Sequence, residues 1–110
     1  MAPQLFTIKK RATFVNIREN GVFIRSNNIN IQKLINQDLA NKIGVGYTAT
    51  KKIGNAVKRN KAKRIMRELA KKIFIKCKTN SYYVLIAKTS ILDIKFKDLL
   101  EELEKIINVK

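Results

Sequence analysis

Apolar residues recur along this chain in two periods, and the switches between them divide it into seven elements. Phe6, Lys10, Phe14 and Ile17 recur at three and four residues, while Lys9, Arg11, Arg18 and Glu19 lie mostly off that stripe. Residues 6–20 therefore read as a short amphipathic helix, ended by Asn20-Gly21, a pair that tolerates positive φ. Residues 22–25 are short, apolar and β-branched, Ser26-Asn27-Asn28 is turn-like, and residues 29–34 partly alternate. Two short strands joined by a tight turn are expected, followed by a polar loop over residues 36–41.

Residues 43–50 read as the third strand. Ile43, Val45, Tyr47 and Ala49 share one face, and Gly44, Gly46, Thr48 and Thr50 share the other. Glycine usually weakens a strand, so two glycines on one face imply that something packs close to the backbone there. A tightly crossing helix and a ligand cleft both fit. Asn55, a good N-cap, then opens a helix over residues 56–75. At 100° per residue, Ala62, Ile65, Met66, Leu69 and Ile73 fall within one arc of roughly 100°. Asn60, Lys61, Lys63, Arg64, Arg67, Lys71 and Lys72 occupy most of the rest. Residues 76–80 form a loop, Ser81–Ala87 is a continuous apolar strand buried on both faces, and residues 96–107 form a third helix with an acidic outer face. The expected order is α-β-β-β-α-β-α. The third and fourth strands and the helix between them make a β-α-β unit if parallel.

Charge changes this picture most at residues 51–72, which hold ten Lys or Arg and one acid, Glu68. An apolar stripe with mixed charge would be an ordinary surface helix; a core-facing stripe backed by a one-sign face calls for a polyanion. The whole chain of 110 residues carries +16, a field that repels itself unless neutralised. Nucleic acid and an anionic membrane are the usual partners. No apolar run approaches the roughly 20 residues that span a bilayer, and the N-terminus lacks the apolar region of a signal peptide. One cysteine, Cys77, permits no internal disulfide and fits a reducing, cytoplasmic setting. With no histidine, Ser-His-Asp and Cys-His catalysis and every His-containing metal site are excluded. The chemistry this chain assists therefore belongs to another component. A single domain over residues 1–110 is expected.

The stretch GNAVKRNKAKRIMRE resembles the signature of the protein subunit of bacterial ribonuclease P. The family pattern is met by Lys51, Lys52, Gly54, Ala56, Val57, Arg59, Asn60, Lys63, Arg64, Arg67 and Glu68. Ile8-Lys9-Lys10 and Phe14, Gly44-Val45-Gly46 and residues 83–88 extend the resemblance over most of the chain. Three positions depart from the pattern: Lys61 stands where the family usually has Arg, and Arg18 and Gln32 stand where it often has an aromatic. The resemblance implies an α+β, single two-layer domain with a mixed four-stranded sheet and a left-handed β-α-β crossover, against the right-handed rule.

It also implies a role in removing the 5′ leader from precursor tRNA. A large RNA subunit would carry the catalytic centre, with magnesium ions at the RNA active site activating water. No cofactor or metal is expected on the protein itself, nor any catalytic residue. Lys51, Lys52, Asn55, Arg59, Asn60, Lys61, Lys63, Arg64 and Arg67 would bind the RNA subunit. Phe14, Ile17, Arg18, Gln32 and Tyr47 would line a groove for leader nucleotides, where stacking tolerates any base; ordinary core is the favoured reading for Ile17. A structural, ribosomal-type RNA-binding protein shares the charge and size and is the main rival. DNA and membrane partners are not expected: there is no dimer seam for paired half-sites, and the helix's apolar side is needed for the core.

Overall fold

The computed structural model describes residues 4–74, 77 and 79–108. Ile75, at the end of the expected second helix, and Lys76 and Lys78 of the following loop lie outside them. Five strands and three helices follow in the order β1 (Gln4–Thr7), α1 (Arg11–Asn20), β2 (Val22–Ile24), β3 (Ile29–Ile35), β4 (Lys42–Thr48), α2 (Ala56–Ile73), β5 (Ser81–Ala87) and α3 (Phe96–Asn108). Short 3-10 turns occupy Gln37–Leu39, within the expected loop, and Lys51–Ile53 and Thr89–Asp93.

The sheet order is β1-β4-β5-β3-β2. β4 runs parallel to both β1 and β5, while β3 runs antiparallel to both β5 and β2. The sheet is mixed, as expected, but has five strands rather than four. The extra strand is β1, whose residues 4–7 pair with residues 42–45. The expected helix over residues 6–20 therefore begins only at Arg11. Phe6 falls on a helical spacing with Lys10 and Phe14, but its conformation is set by pairing to a segment far away in the chain. β4, α2 and β5 form the parallel β-α-β unit.

Strand parity divides the side chains between two faces. Ile29, Ile31, Ile43, Val45, Tyr83 and Leu85 face α2 and α3, where they meet Met66, Leu69, Ile73, Leu99 and Leu103. Each such buried aliphatic side chain is worth about 1.5–3 kcal/mol, so the apolar stripe fixes α2 firmly to the body. On the opposite face Val84 packs with Ile8 and Ile17, flanked by Phe14, Leu34, Tyr82 and Ile86. α1 thus adds a thin third layer to the expected two. β5 meets helices on both faces, which explains its unbroken apolar run.

The glycine face of β4 is filled by the protein itself. A Cβ at Gly44 would stand 2.7 Å from the Tyr82 ring and 2.8 Å from Phe6, and one at Gly46 would collide with the Phe14 ring. Of the two readings of these glycines, close packing by aromatic side chains is the one observed. At the other end of the sheet, Glu102 on α3 ties down the β2–β3 turn. Its carboxylate accepts from Ser26 Oγ at 2.6 Å, Asn28 N at 2.8 Å and Asn28 Nδ2 at 2.7 Å.

Candidate nucleic-acid interface

The basic ridge begins at a tightly specified corner. Thr50 caps the Lys51–Ile53 turn by accepting from Lys52 N, and Lys51 and Lys52 stand exposed on it. Gly54 follows with φ +140° and ψ −151°, backbone that only glycine adopts readily. Asn55 then accepts from Lys58 N through Oδ1 at 3.0 Å. Asn55 is therefore occupied as the N-cap of α2, and what it leaves toward a ligand is its amide NH2. Arg59 Nη1 donates to the Gly54 carbonyl at 3.0 Å, bracing the same corner from the first turn of the helix.

Along α2, Asn60, Lys61, Arg64 and Arg67 are exposed and Lys63 is half-exposed, while Ala62, Met66, Leu69 and Ala70 are buried beneath them. One ion pair forms among the described residues, Lys71 Nζ to Glu68 at 3.9 Å on the exposed surface. The remaining ridge cations have no acidic partner among the described residues. Of the nine residues expected at the RNA-subunit surface, Lys51, Lys52 and Asn55 thus stand at the corner and the other six follow along α2, spread around the side of the helix away from its buried stripe.

The proposed groove residues divide. Phe14 lies over Gly46, Ile17 is fully buried against Val84, and Arg18 is exposed one turn further along α1. Gln32 is the cross-strand partner of Val84 and shares that face, half-exposed. Tyr47 does not join them. It has the parity of Ile43 and Val45, packs against the α2-side core, and carries the Arg67 guanidinium 5.8 Å from its ring centroid. Burial pushes the Tyr47 hydroxyl above its ordinary pKa, and the nearby Arg67 charge pulls it partly back. Tyr47 thus lies beside the basic ridge, with Arg67 over its ring. Ile17, with no exposed surface, offers nothing to a ligand.

Three further aromatics lie on the α1 face and were not legible as site residues. Phe6 and Tyr82 form an edge-to-face pair with centroids 6.4 Å apart, and Phe6 is 37% exposed. Phe23 on β2 pairs with Gln32. Neither Phe6 nor Phe23 reaches this face except through strand register. Elsewhere, a hollow of about 450 Å³ lies between the β2–β3 turn and α3. Asp98, Glu101 and Glu102 make it acidic, so it stands apart from the polyanion surface.

A 34% identical relative from Syntrophus aciditrophicus, "Ribonuclease P protein component", aligns over 87% of this chain and 79% of its own length. One of the same description from Carboxydothermus hydrogenoformans is 31% identical over 93% of this chain and 88% of its own. The Staphylococcus aureus RNase P protein superimposes with a TM-score of 0.82 at 27% identity, covering 94% of each chain. The family model described as Ribonuclease P matches residues 2–109, nearly end to end and spanning both the ridge and the α1 face, and on that match this chain belongs to the ribonuclease P protein family.

Proposed function

We propose that the α2 ridge docks this chain on the ribonuclease P RNA, and that the α1 face of the sheet holds the 5′ leader of precursor tRNA. As a ribonuclease P protein, the chain is an accessory subunit of a ribonucleoprotein endoribonuclease that acts in tRNA processing. The observation that carries the docking reading is the ridge itself. Its cations are rigidly mounted on a buried stripe and, apart from Lys71, lack acidic partners among the described residues. Like charges at i, i+3 and i, i+4 repel by a few tenths of a kcal/mol per pair, and phosphates relieve that repulsion while counterion release drives binding.

Each group then has a defined task. Arg64, Lys61 and Lys63 contact phosphates directly. Lys61 does so as a point charge rather than a planar fork. Arg67 acts from its platform on Tyr47, and Arg59 holds the corner that presents Lys51, Lys52 and the first amides of α2. On the second surface Phe14 and Tyr82 offer ring surface for stacking, and Arg18 and Gln32 offer charge and hydrogen bonds to the leader backbone. Magnesium ions are proposed on the RNA subunit rather than on this chain, and there they would supply activation of the attacking water.

Reconstitution with a bacterial ribonuclease P RNA tests the proposal. At low magnesium, adding the protein should restore leader release from precursor tRNA. Tight RNA binding with no gain in cleavage would favour a purely structural RNA-binding role instead.

A further inference from the structure

We infer that Phe23 and Arg25 form an additional stacking subsite for an RNA base at the β2 edge of the sheet, extending the leader groove beyond Gln32. The inference rests on the α1-face reading above and adds residues to it. Cross-strand partners share a face, and the register runs from Gly46 to Val84, from Val84 to Gln32 and from Gln32 to Phe23. One row of side chains therefore crosses four strands, beginning under Phe14 and ending at Phe23. At the usual strand spacing it spans about 14 Å.

Parity confirms the placement: the neighbouring Ile24 pairs with Ile31 and packs into the opposite core. Phe23 is 48% exposed on an edge strand. Its cationic neighbour is the exposed Arg25, whose guanidinium lies 5.9 Å from the ring centroid. A single exposed Phe is ordinary. This one differs in closing a row that starts at another aromatic, and in lying beside a guanidinium. An aromatic face beside a guanidinium matches a nucleotide, with the ring taking the base and the charge taking the phosphate. It also places an aromatic one strand away from Gln32, which cannot stack as a ring does.

The test uses the holoenzyme reconstituted with the RNA subunit, comparing affinities for precursor and mature tRNA. Phe23→Ala should weaken precursor binding by roughly fivefold to a hundredfold, the range for one lost base stack, and leave mature tRNA binding unchanged. Phe23→Leu keeps apolar bulk without an aromatic face and should behave like Phe23→Ala. Full affinity in Phe23→Leu, or equal losses for both tRNAs, would overturn the subsite. Because the chain contains no tryptophan, Phe23→Trp supplies a single reporter. Its emission should be quenched by saturating precursor tRNA and not by mature tRNA, and an unchanged emission would also overturn the subsite. Phe14→Ala, measured in parallel, separates the two levels. A leader-dependent loss in Phe14→Ala without one in Phe23→Ala removes the subsite and leaves the groove, whereas no leader-dependent loss in either removes the groove itself.

Discussion

Single atoms decide several features of this fold. Gly46 lets Phe14 lie against the β4 backbone, and a methyl group there would occupy the space of the ring. Gly46→Ala should destabilise the protein by about 1–3 kcal/mol, the usual range for overpacking. In thermal denaturation the melting temperature should fall by several degrees, and an unchanged value would mean that Phe14 moves aside freely. Glu102 acts through charge. Burial alone would raise its pKa, but the hydrogen bonds from Ser26, Asn28 and Ile29 outweigh burial and hold it below its ordinary value of 4.5. A carboxylate with a depressed folded-state pKa stabilises fully above its unfolded value, and that stability is lost as pH falls through the folded value. Glu102→Gln should therefore lower stability at neutral pH, by about 1 kcal/mol once solvent screening of this partly exposed carboxylate is allowed for. The gap between the two proteins should narrow below pH 4.5. Denaturant titrations at pH 7 and pH 3.5 would show it, and a gap that does not change with pH would place the loss in shape rather than charge.

At the scale of elements, α2 is a core helix on one face and the proposed binding surface on the other. Arg64→Ala combined with Arg67→Ala should leave the apolar stripe intact, lower affinity for the RNA subunit and reduce the slope of log K against log salt by roughly 1–2 units. A full slope in the double variant would mean that neither side chain meets a phosphate. The form of α2 was readable in advance because its apolar stripe persists over five turns. α3 and β5 were readable for similar reasons, a sustained period and a sustained apolar run. β1 was not, because four residues carry too little pattern and its pairing with residues 42–45 is invisible locally. Tyr47 is a different case. Alternation along β4 already placed it with Ile43 and Val45, on the face away from the glycines, so parity alone argues against a groove beside Phe14. Phe23 could not be found that way, since its place opposite Gln32 depends on a register fixed by the β2–β3 turn.

For the molecule as a whole, a net charge of +16 on 110 residues sets the folded state against its own field. Compaction brings the cations together, and the fold supplies only one ion pair among the described residues. Salt screens this repulsion over a Debye length that shrinks from about 14 Å to 4 Å between 50 and 500 mM. The free protein should therefore melt at a higher temperature as salt rises across that range. A polyanion that binds only the folded state stabilises it by mass action, about 2.7 kcal/mol at a hundred times its Kd, equivalent to roughly 10–20 °C for a domain near this size. Counterion release makes that affinity fall steeply with salt. Salt should thus act in opposite directions on the two species, raising the melting temperature of the free protein and lowering that of the RNA complex until the curves converge. Differential scanning fluorimetry with and without the ribonuclease P RNA would trace both curves. Parallel curves would mean that apolar or base contacts, rather than the phosphate contacts of the ridge, hold the complex together.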